Sequence, residues 1–227
     1  MNLSDNSIFS FPSIDQAAYL NAQPFAHATF KDIFSRDFLI QVANEFPDLA
    51  INADRIFNNH HEKKHVTFGE TKLSDSAKTL VRFCNSEPFL KWLSGLTGID
   101  NLMPDPYLIG GGYHEIKSGG KLGIHVDFNK HGLWGADRRV NVLIYLNQDW
   151  KPTWGGGIKL YDTDLNEKVC VFPELGNVVI FSTTDKSWHG HPEPLTCPKD
   201  RSRKSIALYY YTAPEMDWKA NDTIFRQ

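Results

Sequence analysis

The segment GIHVDFN, residues 123–129, sets His125 and Asp127 two positions apart in a run of strand-like composition. Side chains alternate faces along a strand, so both project to one side with Val126 between them. An imidazole and a carboxylate placed in this way reach one divalent metal. A second strand-like run, SWHGHPEP, supplies His189 and His191, the first of them 64 positions beyond His125. These two histidines share strand parity, so alternation leaves both open as the third ligand. Two histidines and one carboxylate on one face of a metal are the donor set of non-heme iron(II) oxygenases, with positions left open for co-substrate and oxygen. An all-histidine or cysteine-rich set would indicate zinc or copper instead. In RSRKSIALYYYT, Arg203 and Ser205 share a strand face, offering a guanidinium and a hydroxyl to a pocket shaped by Tyr209. A buried arginine needs an anionic partner, and the far end of a dicarboxylate ligand would provide one.

These residues need rigid elements to hold them. From about residue 102 the chain becomes short β-like runs separated by Gly, Pro, Asn and Asp: PYLIGGGYHEIK, KLGIHVDF, RRVNVLIYLN, GGIKLYD, KVCVF, NVVIFS, SWHGHP and SIALYYYT. About eight such strands imply a sandwich or closed barrel, with the two-sheet jelly roll as the natural solution. Before them, Ser35 caps a helix through SRDFLIQVANEF, with Phe38, Leu39, Val42 and Phe46 on one face and Pro47 as its stop. Ala77, Leu80, Val81 and Cys84 form a buried stripe on DSAKTLVRFC, and Ser86 with Pro88 starts FLKWLSGL. The expected fold is α+β, a double-stranded β-helix (jelly-roll) core with N-terminal helices packed on one sheet. One domain is expected over 1–227, with 1–101 as mainly helical support, 102–213 as core and 214–227 as a tail.

The polar, glycine-containing stretch DFNKHGLWGADRR directly follows Asp127 and reads as a mobile lid, with Lys130, His131, Trp134, Arg138 and Arg139 favouring an anionic or polar substrate. The run HHEKKH at 60–65 reads as a solvated surface loop, and Trp154 and Trp188 as core.

Composition bounds the partners. The 227 residues are 41% hydrophobic, 13% aromatic and 22% charged, with a formal net charge of −3, and no basic block is present. No partner is therefore expected among nucleic acids or anionic membranes. The opening MNLSDNSIFSFPSIDQ lacks the basic and apolar regions of a secretory signal, which points to a cytoplasmic protein. Cys84, Cys170 and Cys197 form no CxxC pair and are expected reduced and mostly packed. Oligomeric state is not encoded in any of these features.

Taken in order, HVD, RRVNVLIYLNQDWKPTWGGGIKLYD, GNVVIFSTTDKSWHGHPEP and RKSIALYYYT resemble the prolyl 4-hydroxylase-like branch of the iron(II)- and 2-oxoglutarate-dependent dioxygenases, over residues 102–213. The resemblance implies that His125, Asp127 and His189 bind iron and that Arg203 holds the distal carboxylate of 2-oxoglutarate. Tyr145 matches a tyrosine that donates to the same carboxylate. Alternation then adds Asn141 and Leu143 to the pocket side, while Val140, Val142 and Ile144 face away. The implied cofactors are Fe(II), 2-oxoglutarate and O2, with ascorbate as a possible addition. The implied reaction hydroxylates an unactivated C–H bond while 2-oxoglutarate is decarboxylated to succinate and CO2. The substrate would be a small molecule, a peptide or a protein, with a prolyl residue or another amino acid as the target. The carboxylate of Asp127 favours hydroxylation over halogenation, since halogenating relatives carry a small residue there.

The pattern departs from the family at two places. Where relatives have a tyrosine about ten residues before the HxD histidine, this chain has Glu115 and Ile116, which leaves Tyr113 or His114 to finish the pocket. The gap from His189 to Arg203 is long, with PLTCPKDRS as an inserted loop, so Arg201 is a second candidate anchor. Two rival readings are a cupin-like metal enzyme of another class and a non-catalytic jelly-roll binding protein.

Overall fold

Each N-terminal helix starts where a side chain satisfies its first free backbone N–H groups. Helix α1 (Gln16–Asn21) begins at Asp15, whose carboxylate accepts from the Ala18 amide at 2.9 Å. Helix α2 (Arg36–Asn44) begins at Ser35, whose hydroxyl accepts from Phe38 N–H, and it buries Leu39 and Val42. The short α3 (Leu49–Asn52) starts at Asp48. Helix α4 (Asp75–Cys84) starts at Ser74 and buries the stripe Ala77, Leu80, Val81 and Cys84. Helix α5 (Glu87–Thr97) departs from expectation at its start: the Ser86 hydroxyl donates to the Phe83 carbonyl at 2.6 Å and leaves the helix uncapped by a side chain. It ends at Gly98, whose φ of 70° is the left-handed conformation that glycine adopts without strain.

The computed structural model describes residues 8–215 and 219–226. Residues 1–7, at the opening of the chain, and 216–218 and 227 of the expected tail lie outside the described residues. Three strands fall within the N-terminal segment, β1 (His27–Lys31), β2 (Arg55–Asn58) and β3 (Lys63–Val66). Then follow β4 (Met103–Pro104), β5 (Gly112–Lys117), β6 (Leu122–Val126), β7 (Asp137–Tyr145), β8 (Ile158–Tyr161), β9 (Glu167–Val171), β10 (Asn177–Ser182), β11 (His189–His191), β12 (Ser202–Thr212) and β13 (Ile224–Phe225). The eight expected strands are all present, as β5 to β12.

They form two antiparallel sheets. The major sheet runs β1-β10-β7-β12-β5-β3-β2, with β4 also on β12, and the minor sheet runs β13-β6-β11-β8-β9. This is the expected α+β jelly-roll arrangement. The run 60–65 is not a solvated loop: its second half enters β3, which pairs with β5, and Glu62 is buried. The tail likewise contributes β13, paired with β6 at Ile224↔Val126 and Phe225↔His125.

Alternation gives the major sheet two unlike faces. Val140, Val142, Ile144, Ile206, Leu208 and Tyr210 pack against Leu39, Leu80 and Leu93 of the helices in the main core. Each such side chain stabilises the fold by about 1.5–3 kcal/mol when fully buried. The opposite face carries Asn141, Tyr145, Arg203, Ser205 and Tyr209 toward the minor sheet. Cys84 and Cys197 are buried and free, whereas Cys170 is exposed.

Candidate metal and co-substrate site

His189 lies directly opposite His125 in the β11–β6 pairing, so two distant segments place their imidazoles on one inner surface. Their rings are 4.3 Å apart, and Phe181 from the major sheet closes against His189 at 4.7 Å. Asp127, just past the end of β6, completes a trio whose ligand atoms all lie within 4.8 Å of one another. Its Oδ1 is 3.7 Å from His125 Nε2 and its Oδ2 is 3.5 Å from His189 Nε2.

The histidine tautomers are set by the backbone. Nδ1 of His125 faces the Gly123 carbonyl at 2.8 Å and Nδ1 of His189 faces the Ser187 carbonyl at 2.8 Å. Nδ1 must donate in both, which leaves the two Nε2 lone pairs aimed at the carboxylate, the arrangement of metal-binding imidazoles. Burial, with His125 adding to it, holds His189 down to about 4, so its ring is neutral at physiological pH. Burial alone would raise the Asp127 carboxyl, but the Arg138 guanidinium and the two imidazoles outweigh it and hold the group well below its ordinary value. Two imidazoles presenting Nε2 and one anionic carboxylate fit a divalent metal of the non-heme iron type.

The glycine between the two histidines of β11 is sterically required. A Cβ on Gly190 would lie 2.6 Å from the Gly123 carbonyl oxygen and 2.9 Å from that of Leu122. The strands therefore approach closely at this point, where the register shifts between His189 and His191.

Behind the metal ligands lies a second polar group. Arg203 reaches from β12 toward the minor sheet, donating through Nε to the Gly156 carbonyl at 2.8 Å and through Nη2 to the Tyr145 hydroxyl at 3.0 Å. Among the described residues no carboxylate pairs with it. Ser205 sits beside Tyr145 on β7 and His114 on β5 in one cross-strand row. Burial drives the His114 imidazole down to about 3, with Lys64, Arg203 and Arg138 contributing.

The remaining candidates separate clearly. Tyr113 points to the other side of the sheet, against Phe46 and hydrogen-bonded to the Ser74 hydroxyl, so of the two it is His114 that shares the pocket face. Arg201 bonds to the Gln148 carbonyl and lies over Trp154, away from Tyr145. Asn141 lies on the expected pocket face, where its Nδ2 donates to Asp127 Oδ2 at 2.8 Å and its Oδ1 accepts from Arg138 Nε and Nη2. The neighbouring arginine occupies the amide oxygen and turns the amide nitrogen to the carboxylate.

Arg138 is itself a correction. It is not a lid residue but is fully buried, sandwiched between Phe128 at 4.3 Å and Tyr209 at 3.4 Å, with Nη2 3.2 Å from Asp127 Oδ2. His131 is buried too, its Nε2 3.3 Å from Asp105, its Nδ1 accepting from the Leu133 and Trp134 amides and its ring stacked on Trp134 at 4.2 Å, so these contacts anchor the expected mobile loop. Arg139 pairs with Glu215 at 2.5 Å. Above the ligands opens a cavity of about 1000 Å³, walled by Arg55, Phe57, Lys64, Phe128, Tyr209 and Phe225 among others. The walls from β2, β3 and the 219–226 segment had no signal in the sequence, because edge-strand and C-terminal residues reach the site through tertiary pairing alone.

A model of the 2OG-Fe(II) oxygenase superfamily matches residues 111–211, the span holding the His-Asp-His trio and Arg203. The chain thus carries a match to a 2OG-Fe(II) oxygenase domain over residues 111–211. This oxygenase is a 2-oxoglutarate-dependent dioxygenase, and its cofactors are Fe(II), 2-oxoglutarate and O2. Its fold is shared with a Pseudomonas putida prolyl-4-hydroxylase (TM-score 0.61, 15% identity, 87% of this chain and 98% of that one). It is also shared with a Trichoplax adhaerens prolyl hydroxylase in complex with a hypoxia inducible factor peptide fragment (TM-score 0.64, 18% identity, 86% and 87%). A Burkholderia pseudomallei oxidoreductase of the 2OG-Fe(II) oxygenase family aligns over 89% of this chain and 93% of that one, at 13% identity and a TM-score of 0.57. A comparison with curated protein sequences returns no match. Among the described residues, no helix of the oxygenase is long and apolar enough to cross a membrane.

Proposed function

We propose that the enzyme hydroxylates an unactivated C–H bond of an amino-acid substrate, with a peptidyl proline as the leading candidate, and couples this to decarboxylation of 2-oxoglutarate to succinate and CO2. His125, Asp127 and His189 are the iron ligands in this reading, and Arg203 with Tyr145 receives the distal carboxylate of the co-substrate. The observation that carries it is the pairing of a preorganised three-ligand trio with a buried arginine that lacks an acidic partner. A buried cation without a counter-charge is costly, and a dicarboxylate supplies that charge when bound.

When bound, the iron and co-substrate supply the oxidising chemistry. The chain's own residues orient and exclude. The Gly123 and Ser187 carbonyls keep both imidazoles in the ligating tautomer, while Asn141 and Arg138 hold the second oxygen of Asp127 so that the carboxylate keeps one orientation. Phe128, Tyr209 and Phe225 wall the cavity and shed water from the reacting centre. The carboxylate of Asp127 occupies the position that a halide would need, which supports hydroxylation. The cavity is large and open on one side, which suits a residue presented by a peptide, and the peptide named with the Trichoplax relative supports the same reading.

The test is anaerobic addition of Fe(II) and 2-oxoglutarate, following the weak visible charge-transfer band of the chelate, and then aerobic incubation with proline-containing peptides. The expected result is a band that Arg203→Ala weakens by about 10- to 100-fold in 2-oxoglutarate affinity, and a product heavier by one oxygen atom. A colourless protein that is active without oxygen would overturn the reading.

A further inference from the structure

His191 lies on the inner surface beside the trio and takes no part in it. It is 1% exposed, and among the described residues neither Nδ1 nor Nε2 makes a well-formed hydrogen bond, a poorly aligned approach to the Glu193 backbone aside. Its neighbours on the same surface are held differently: His125 and His189 each fix Nδ1 on the carbonyl two residues back, and His191 makes no such bond. It is therefore not prepared as a metal ligand. Buried polar atoms without partners are rare and costly in native proteins, so the pair needs an explanation.

Its place in the sheet supplies one. The β11–β8 pairing sets His189 against Leu160 and Gly190 against Lys159, so His191 continues toward Ile158 at the start of β8. Gly156, two residues before that point, is where Arg203 Nε bonds. His191 from the minor sheet and Arg203 from the major sheet thus converge on the same end of the space between the sheets. An imidazole beside a guanidinium offers an N–H donor to an anion that both groups can share.

We propose that His191 is a third donor to the distal carboxylate of the co-substrate, beside Arg203 and Tyr145. The inference rests on the functional reading above and adds a residue to it. The carboxylate would receive the Arg203 guanidinium, the Tyr145 hydroxyl and the His191 N–H, which makes the pocket selective for a diacid over a keto acid that lacks the second carboxylate.

The test compares 2-oxoglutarate with 2-oxopentanoate, an equally long keto acid without the distal carboxylate, by anaerobic titration of the Fe(II)-loaded full chain and its chelate band. His191→Leu is expected to weaken 2-oxoglutarate by about ten-fold, to leave 2-oxopentanoate and Fe(II) affinity unchanged, and to be largely rescued by His191→Asn, which keeps an N–H donor. Equal weakening of both keto acids, or no weakening of either, overturns the role. Should His191→Leu fail to fold, ring-15N NMR of the zinc-loaded parent decides. On addition of 2-oxoglutarate, one histidine ring proton outside the metal ligands slows its exchange if the role is right, and none changes if it is wrong. A parent that forms no chelate band at all overturns the functional reading and this inference with it, whereas a normal parent band with an unaffected variant overturns this inference alone.

Discussion

Asp127 carries two charges' worth of attention: two imidazoles on one side and the Arg138 guanidinium on the other. Asp127→Ala is therefore expected to abolish stoichiometric iron binding, read by titration with Fe(II) or a mimic. Arg138→Met leaves the carboxylate buried beside no cation and is expected to destabilise the metal-free protein by about 3–5 kcal/mol in urea unfolding. Added divalent metal should restore part of that loss, because it supplies the missing positive charge. The histidines give a pH dependence. His114 and His189 have folded values of about 3 and about 4 against 6.5 when unconstrained. Between pH 6.5 and those values the unfolded chain binds protons that the folded chain refuses, so metal-free stability is full above that window and falls as pH drops through it. Thermal melts from pH 7 to pH 4 test this, and a flat profile would contradict the burial argument. At this scale the sequence pointed to His125, Asp127, His189 and Arg203 as neighbours on one inner surface, because HxD on a strand and a downstream His and Arg have few other reasons to occur in that order. It misplaced Arg138, since a charged residue next to a glycine-containing loop looks solvated until Phe128 and Tyr209 are found on either side of it.

The elements were legible where hydrophobic periodicity was strong. Helix α4 and strands β7 and β12 carry unambiguous stripes, and their faces are as alternation requires. Strands β2, β3 and β13 were not legible, being only two to four residues long, with charged or polar side chains interrupting β2 and β3 and too few residues in β13 to show any alternation. They exist because a neighbouring strand offers backbone partners, which no local pattern records. The β11–β6 pairing yields a sharp prediction. Gly190→Ala inserts a Cβ 2.6 Å from the Gly123 carbonyl oxygen, so the strands must separate and carry His189 away from His125. The variant is expected to lose metal affinity even at temperatures where circular dichroism shows it folded. Ser35→Ala, by contrast, removes only a helix cap far from the site and is expected to cost about 1 kcal/mol with unchanged metal binding.

In the whole molecule, the helices stiffen one face of the major sheet so that its other face can be polar, and the minor sheet closes over that polar face. One wall beside the candidate metal ligands is made by the segment 219–226. Asn221 exchanges bonds with Asn129 and donates to the Asp127 carbonyl, and Phe225 lies against His125 at 5.2 Å. Deleting residues 219–227 is expected to leave the 2-oxoglutarate chelate intact while raising succinate formation in the absence of substrate, measured as uncoupled turnover. A hundred positions separate Phe225 from its partner His125 on β6. Closing so long a loop is entropically slow, so β13 is expected to dock on β6 late in refolding, after β6 and β11 have already met.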